Sequence, residues 1–567
     1  MSQPVAPELN GEVVKPEICS ASDDQSSPQP TKALALAMES SSDIEGSVKS
    51  RSKWRTTVLL LALLLQLSLF VAALDATIVA TSASVIADDL KSASGYVWIG
   101  GAYLLADAAS GPTWAKVSDI TGRKVILLVA VAIFFVSSII CATARTMPTL
   151  ITGRSIQGLG GGAIILLVHI SISDLFSMRQ RSFFMGLCEC VWAAAGAIGP
   201  IIGGLFTSLI SWRYCFWINL PIAGLAFLIL LFFFDTKHDN TSWSDGLRAI
   251  DWYGMITFLG FAVLILVTLN FGPISSWNSP MVIAMFVIGG ALFFAFIYSE
   301  YRLAKFPIIP LRLFKNRSNV ACCCLGFSHG MCLIAADYFL PLFFQSALQA
   351  TPLRSGVLLL PTLLTTSLGG LISGITIKLT GRYLELIWIG SIFLCAGTGS
   401  FISFDMNSPI AQIIGCQILF GLGSGLLIEP PIISIQTSVS QQDVASAIST
   451  FTFIRSVSLA VSIVVGGVVF NGSMQQQHDY LSQAGLPADI LGRLSGKEAA
   501  ANVHIASQLA DRAQVSAVKQ AFSSSISNMF KMYTGFAVCA LISGLFVRWA
   551  FLEKKHVETV TGIKKEG

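Results

Sequence analysis

The sequence predicts an all-α membrane protein with fourteen transmembrane helices. Of its 567 residues, 53% are hydrophobic and 12% are charged, whereas a soluble domain has about 25% charged residues. An apolar run of about 20 residues is long enough to cross a bilayer as a helix. Such runs lie near residues 57–80, 96–114, 125–143, 149–172, 183–209, 215–234, 252–270, 281–300, 319–345, 355–377, 386–404, 409–433, 444–470 and 529–551.

Basic residues near the first span predict the orientation. Four Lys or Arg residues lie between positions 49 and 55, and cytoplasmic segments carry an excess of these residues. An even number of spans then places the C-terminus on the same side, so both termini are predicted to be cytoplasmic. Residues 1–54, rich in Ser, Pro, Asp and Glu, are predicted to form a disordered cytosolic tail. Residues 553–567 are predicted to form a second cytosolic tail.

Short motifs recur at nearly one offset, which indicates an internal repeat. The tripeptide TGR at 121–123 recurs at 380–382, an offset of 259 residues. The glycine run GLGGG at 158–162 recurs as GLGSG at 421–425, an offset of 263 residues. Two copies of one six-helix unit explain both matches.

The repeat predicts the domain organisation. The spans divide into an N-terminal six-helix bundle, an inserted pair of helices with inner loops, and a C-terminal six-helix bundle, at residues 55–235, 236–318 and 319–552. Within the second bundle, residues 471–528 are predicted to form a long outer loop. Apolar residues at helical spacing in 499–522 predict an amphipathic surface helix there. Asn471 lies in a glycosylation sequon on the predicted outer side.

An arginine followed by a glycine ladder, GRSIQGLGGG at 153–162, lies inside the fourth span. Arg154 and Gln157 share one helix face with Gly158 and Gly161. An arginine at membrane depth costs about 2.5–3.5 kcal/mol on the lenient insertion scale, so it is by default a functional-site hypothesis. We expect Arg154 to face a cavity or a carboxylate. The alternative is that it reaches the headgroups from the outer end of its span.

Two further segments have compositions that suit a conformational change. The loop AKVSDITGRK at 115–124 places a glycine turn between an acid and two bases, which can hold two helix ends together in one conformation and release them in another. The alternative is a charged inner loop that only sets topology. In the fifth span, GAIGPIIGG at 196–204 contains a proline that bends the helix. Its glycines allow close packing against span eight or its symmetry mate.

These segments resemble motifs of the major facilitator superfamily. The loop is similar to the family's signature loop, although Ala115 replaces the usual glycine and Ile120 the first arginine. Its matching residues are Asp119, Gly122, Arg123 and Lys124. Arg154 and Gln157 resemble the family's RxxQG motif, in which the arginine is linked to proton coupling.

Two more segments resemble drug exporters of that superfamily. The fifth-span segment is similar to their antiporter motif, with the matching residues Gly196, Gly199, Pro200, Gly203 and Gly204. The stretch LDATIVAT at 74–81 resembles a motif of the fourteen-span drug:proton antiporters, although Ser84 stands where a proline is frequent. The resemblance covers about residues 55–552 and implies a fungal exporter of toxins, secondary metabolites or drugs.

Carboxyl groups within the spans are the candidates for proton binding, because each is costly against lipid. We expect Glu189 to carry the proton, with Asp107 and Asp337 as further candidates. A carboxyl group shielded from water can be neutral when it faces one side and ionised when it faces the other. Asp75 is interpreted either as a gating and proton-handling acid or as a helix-end carboxylate exposed to water. Glu429 is interpreted as a helix-end feature.

Other residue types narrow the function. His169 and His329 are expected to be hydrogen-bonded core residues. The 12 cysteines lack metal-ligand spacing, so no metal site is predicted. No catalytic constellation and no phosphate-binding GxxxxGK[ST] loop occurs, which argues against an enzyme and against ATP-driven transport. No cofactor is expected, because the proton gradient is the energy source.

The sequence therefore predicts proton-coupled efflux of amphipathic small molecules across the plasma membrane by alternating access. The expected partners are a small-molecule substrate, protons and the lipid bilayer, with no nucleic acid, and the chain is expected to be a monomer. One alternative is a proton-coupled importer or vacuolar exchanger of basic amino acids or siderophores. A second alternative is a non-transporting membrane sensor.

Overall fold

The structure is a computed structural model that describes residues 65–79, 82, 85–86, 89–92, 96–234, 251–304, 309, 311–440, 443–494, 499 and 505–552. Helices account for most of these residues, and no β-strand occurs among them. The two predicted tails, 1–54 and 553–567, lie outside the described residues, as does Ser84.

Each predicted span coincides with a helix in the described part of the chain. The helices are α1 Leu65–Val79, α2 Tyr96–Thr121, α3 Arg123–Thr143, α4 Met147–Leu175, α5 Met178–Leu209, α6 Asn219–Phe233, α7 Trp252–Ser275, α8 Pro280–Tyr298, α9 Arg317–Ser346, α10 Pro352–Thr380, α11 Leu384–Ser400, α12 Ile410–Thr437, α13 Val444–Gln476 and α14 Arg512–Leu545. By length and hydropathy, 10 helices of the described residues can cross a membrane. The exact number of spans stays a prediction.

The segment between α13 and α14 differs from the predicted long loop 471–528. The helix α13 continues to Gln476, and α14 begins at Arg512, well before the apolar run at 529–551. Residues 512–522, nearly half of the predicted surface helix at 499–522, are therefore the start of α14. A hydropathy scan misses these turns because they are polar on one side, although their apolar side is buried against the bundle.

Asn471 lies within α13 and not in a loop. Its side chain is half-buried, and its Oδ1 atom accepts no hydrogen bond from any described residue. An asparagine held in a helix is less accessible than one in an extended loop, so the sequon is a poorer acceptor than the sequence indicated. Its glycosylation stays a prediction.

The connections between helices alternate between two ends of the molecule. Gly122 alone joins α2 to α3, and its φ of 98° is a conformation that glycine adopts readily. Arg123 beside it reaches Asp174 near the end of α4, and Arg179 at the start of α5 packs over Gly381 between α10 and α11. We call this end the Gly122 end and the opposite one, which includes the connection between α3 and α4, the Arg145 end.

Both copies of the glycine run bring a helix close to its neighbour. A Cβ atom at Gly158 of α4 would lie 2.3 Å from the Tyr103 carbonyl oxygen on α2. A Cβ atom at Gly425 of α12 would lie 2.0 Å from the Thr366 carbonyl oxygen on α10. Only glycine permits approaches this close between backbones. The sequence repeat thus corresponds to equivalent helix pairs in the two bundles.

The two bundles pack together at the Gly122 end through α5 and α10. A Cβ atom at Gly186 would lie 3.0 Å from the Gly370 carbonyl oxygen, and one at Gly374 would lie 2.3 Å from the Ser182 carbonyl oxygen. These glycines lie in the half of each helix nearest the Gly122 end. The helices α5 and α10 therefore meet backbone to backbone there.

Polar contacts reinforce this packing. Arg181 of α5 donates a hydrogen bond of 2.9 Å to Gln436 Oε1 at the end of α12, and Arg179 donates one of 3.3 Å to the Leu552 carbonyl oxygen. The Lys378 ammonium lies 3.8 Å from the centre of the Phe183 ring. The bundles are thus closed against each other at the Gly122 end.

Candidate functional site

Arg154 lies inside the N-terminal bundle with 1% of its surface exposed. Its Nη1 atom donates to Asp75 Oδ2 at 2.5 Å, and its Nε atom donates to the Ile99 carbonyl oxygen at 2.9 Å. The guanidinium also stacks on Tyr103, 4.5 Å from the ring centre. Arg154 therefore faces a carboxylate as expected, and the alternative that it reaches the headgroups is wrong.

Asp75 is the centre of this group and is fully buried. Besides Arg154, its carboxylate accepts hydrogen bonds from Gln157 Nε2 at 2.9 Å and from Asn219 Nδ2 at 2.6 Å. The Gln157 amide also accepts from Arg154 at 2.7 Å and donates to Ser138 at 2.9 Å. We call Arg154, Asp75, Gln157 and Asn219 the Arg154 network. The interpretation of Asp75 as a water-exposed helix end is wrong.

The Arg154 network is neutral as a whole, since one guanidinium faces one carboxylate. Charge-assisted hydrogen bonds between such groups are short and strong, and they offset the cost of removing both charges from water. Its members come from α1, α4 and α6, so one polar contact ties these three helices together. A change in the charge of Asp75 is therefore expected to affect the packing of these three helices.

The sequence pattern located part of this network. Arg154 and Gln157 lie three residues apart on α4, and that spacing alone predicts their shared face. Asn219, at the start of α6, was missed. The signal that could have found it is a polar amide two residues before Pro221, at the first position of an otherwise apolar helix. An unpartnered amide there is costly, so a buried acceptor is required.

The loop at 115–124 forms a second charged group at the Gly122 end. Arg123 is buried and binds two carboxylates, Asp119 at 2.5 Å and Asp174 at 2.8 Å. Its Nη1 atom also donates to Ser118. Gly122 supplies the turn, and Lys124 is half-buried. The loop therefore holds the ends of α2 and α4 together within one bundle. Its release in another conformation stays a prediction.

Gly199 of the antiporter motif packs against α1, whereas span eight or its symmetry mate was expected. A Cβ atom at Gly199 would lie 2.2 Å from Thr77 Oγ1 on α1, while Gly196 and Gly204 have nothing within 4 Å of that position. Packing against α10 uses Gly186 instead. The two positions are 13 residues apart, which places them about 140° apart around the helix. The helix α5 continues through Pro200 to Leu209, and Gly203 is buried.

The other predicted carboxyl groups lie apart from the Arg154 network. Asp107 of α2 packs against Gly162, and Asp337 of α9 has one oxygen without a hydrogen-bond partner among the described residues. Glu189 of α5 lies against Gly370 of α10, at the boundary between the bundles. Each of the three carboxyl groups is half-buried.

The two histidines are hydrogen-bonded core residues, as predicted. His169 Nδ1 lies 2.8 Å from the Ile165 carbonyl oxygen, and His329 Nε2 lies 2.8 Å from Ser424 Oγ. A histidine with such a partner needs no further ligand to satisfy that nitrogen.

The comparisons with known proteins agree with this architecture. Residues 65–463 match the family model of the Major Facilitator Superfamily. The chain belongs to this superfamily. It is accordingly an all-helical, multi-pass membrane protein, and its relatives are transporters and not enzymes.

Similar members of the superfamily come from fungi. The chain is 38% identical over 525 residues to the efflux pump dotC of Dothistroma septosporum, covering 92% of this chain and 90% of that protein. It is 37% identical over 522 residues to the MFS-type transporter ppz2 of Metarhizium majus, with the same two coverages. The resemblance to fungal efflux pumps that the motifs indicated is confirmed.

Solved structures of the superfamily show the same fold. The human organic anion transporter MFSD10 (TETRAN) matches with a TM-score of 0.53 and 14% identity, covering 84% of this chain and 98% of that one. The proton:xylose symporter XylE matches with a TM-score of 0.55 and 14% identity, covering 87% and 96%. These similarities establish the fold.

Proposed function

We propose that this protein exports amphipathic small molecules, such as fungal toxins or secondary metabolites, in exchange for protons. The observation that carries the proposal is the fully buried Arg154–Asp75 pair. Burying two charges at membrane depth is costly, so their presence there indicates a function. The direction of transport rests on the relatives, several of which are named efflux pumps.

Transport proceeds by alternating access, with α1–α6 rocking against α9–α14 around a central site. The closure of the Gly122 end by Arg181, Gln436 and the α5–α10 glycines supports this proposal, because alternating access requires one conformation that is closed at that end. The other conformation breaks these contacts and forms new ones at the Arg145 end. With both termini cytoplasmic, the Gly122 end faces the cytosol.

The Arg154 network couples protons to this movement. While Arg154 and Asp75 are paired, α1, α4 and α6 stay together. A proton on Asp75 removes the charge that holds Arg154 and frees the helices to shift. Glu189, Asp107 and Asp337 are further candidate proton carriers.

Substrate binding relies mostly on aromatic and aliphatic side chains at the centre of the bundles, which suits amphipathic compounds and broad specificity. The protein acts as a monomer in the plasma membrane and needs no cofactor. The vacuolar membrane is the alternative location.

Reconstitution into proteoliposomes with an imposed pH gradient tests this function. Rhodamine 6G, an amphipathic dye, should accumulate on the acidic side in vesicles that contain the protein. A protonophore should abolish the accumulation. Arg154→Lys should also lose it, because a flexible ammonium cannot make the paired contacts of a guanidinium. Dye movement that ignores the gradient contradicts the proposal.

A further inference from the structure

Glu429 occupies an unusual position in the C-terminal bundle. The helix α12 is interrupted at Leu427 and Ile428, and Glu429 begins its second part. Its side chain is fully buried, yet neither carboxyl oxygen has a hydrogen-bond partner among the described residues. A buried, unpartnered carboxyl group is costly when ionised and far less so when it holds a proton. The helix-end interpretation is right about its place in α12 but does not explain this burial.

Two charged groups face Glu429. Glu189, on α5 of the other bundle, and Arg455, on α13, both lie within electrostatic range of it. Glu189 also interacts electrostatically with Arg455. No described residue accepts a hydrogen bond from the Arg455 guanidinium. We call Glu429, Glu189 and Arg455 the Glu429 cluster.

The remaining neighbours of Glu429 add no charge. Cys188 on α5 lies within electrostatic range of both carboxyl groups, and its sulfur accepts a hydrogen bond of 3.3 Å from Gln66. His329 on α9 is held by Ser424, and His169 on α4 by the Ile165 carbonyl oxygen. Arg455 lies within electrostatic range of both histidines. A positive charge on either histidine is unfavourable beside a guanidinium. On α10 and α11, which pack against α12, the stretches 366–370 and 386–394 contain no titratable residue.

The charges of this cluster balance only with one added proton. Two carboxyl groups face one guanidinium, so the fully ionised cluster has one excess negative charge away from water. One bound proton removes that excess. The Arg154 network, with one carboxylate and one guanidinium, balances without any proton. In this conformation the charge balance therefore favours a proton on the Glu429 cluster and not on the Arg154 network.

We propose that the Glu429 cluster is a proton-binding site that holds one proton while the Gly122 end is closed. The proposal rests on the proposed function and extends it by a site in the C-terminal bundle. Because Glu189 belongs to one bundle and Glu429 and Arg455 to the other, opening of the Gly122 end separates them. Glu429 and Arg455 then balance each other, Glu189 reaches water, and the proton is released on the cytosolic side.

A transport experiment tests this site. Glu429→Gln keeps the shape of the side chain and removes its titration. In proteoliposomes, the variant should lose rhodamine 6G accumulation driven by a pH gradient while retaining gradient-independent exchange of dye across the membrane. The matched control is Glu385→Gln, in which the same change is made at the start of α11, where 46% of the side chain is exposed and one carboxyl oxygen lies 3.7 Å from Arg382. It should behave as the wild type.

The outcomes separate this proposal from the proposed function. If the wild type ignores the pH gradient, the proposed function fails. If the wild type follows the gradient and Glu429→Gln follows it equally well, the proton site is overturned and the function stands.

Infrared titration of the purified protein gives a second test that needs no substrate. A protonated carboxyl group has its own carbonyl band, and one component of that band should disappear in Glu429→Gln and in Glu189→Gln but persist in Glu385→Gln. If neither glutamine variant is recovered folded, Arg455→Ala serves instead. Loss of the guanidinium should move the disappearance of the band to higher pH. A band that is unchanged in the variants measured contradicts the proposal.

Discussion

The Arg154 network and the Glu429 cluster each contain a buried carboxyl group and an arginine, yet they differ in pairing. Asp75 accepts hydrogen bonds from three side chains, whereas the oxygens of Glu429 accept none from the described residues. The first group lies within one bundle, and the second spans both bundles. A paired charge holds helices together, while an unpaired one responds to protons and to separation of the bundles. In this conformation, therefore, the Arg154 network holds helices together without a bound proton, whereas the Glu429 cluster holds one.

Removal of the arginine from the Arg154 network should have the largest effect on stability. Arg154→Ala leaves Asp75 buried without its countercharge, which costs about 3–5 kcal/mol. Thermal unfolding of the detergent-solubilised protein, followed by tryptophan fluorescence, measures this loss. Arg382→Ala is the matched control, because its side chain is 71% exposed and its pair with Glu385 lies at the surface. Equal stability of the two variants contradicts the structural role.

Loss of the Arg181–Gln436 hydrogen bond at the Gly122 end should move Glu189 away from Glu429 and Arg455 and leave the Arg154 network intact. Arg181→Ala removes a hydrogen bond to a charged group, worth about 1.5–3 kcal/mol. The population open at this end should rise by about tenfold or more. Spin labels at Val125 and Arg382 measure the distance between the bundles, after the exposed native cysteines are replaced.

Arg302→Ala, a change at an exposed arginine beyond α8, is the control for that experiment. It should leave the distance distribution unchanged. A distribution in Arg181→Ala that matches the wild type shows that this contact does not hold the end closed.

Helix packing beside the Arg154 network should tolerate no added methyl group. A Cβ atom at Gly158 meets the backbone of Tyr103, the residue on which Arg154 stacks, so Gly158→Ala should cost about 1–3 kcal/mol. Gly415→Ala on α12, where nothing lies within 4 Å of the added carbon, should instead gain about 0.5–1 kcal/mol. Thermal unfolding of both variants checks the signs, and a stable Gly158→Ala refutes the close approach.

Neutralisation of the unpaired carboxyl group should have the smallest effect on stability. Glu429→Gln should stay within about 0.5 kcal/mol of the wild type or exceed it, because a neutral amide of the same shape replaces a carboxyl group that has no hydrogen-bond partner and is favourable only with a bound proton. Asp75→Asn, the equivalent change in the Arg154 network, should destabilise clearly, since Arg154 is left buried without its countercharge. If both variants lose equal stability, the two groups do not differ as described.

The Arg154 network could be predicted from the sequence in part, whereas the Glu429 cluster could not. The spacing of Arg154 and Gln157 placed both on one face of α4, because residues three apart on a helix are neighbours. The partners Asp75 and Asn219 lie 79 and 65 positions away from Arg154 in the sequence, so only the tertiary fold brings them to it. A sequence without an alignment contains no information on such pairs.

The Glu429 cluster was harder to foresee. Its members come from α5, α12 and α13, and Glu429 beside two prolines resembled an ordinary helix end. Burial on every side is a property of the assembled bundles and cannot be read from the local sequence. The fold itself was largely predictable, because hydropathy and the repeated glycine runs reflect local requirements. The first turns of α14 were missed because they are polar on one side, and only the assembled bundle shows that their apolar side is buried.

Proton movement driven by a substrate gradient tests the central claim most directly. Proteoliposomes loaded with rhodamine 6G are diluted into dye-free, weakly buffered medium, and an electrode follows the external pH. With the wild type, departing dye should draw protons into the vesicles and make the medium alkaline. With Glu429→Gln the pH should stay constant, although internal dye still exchanges with dye that is added to the medium in a parallel assay. The account is contradicted if the variant makes the medium alkaline at the wild-type rate, or if the wild type moves dye without moving protons.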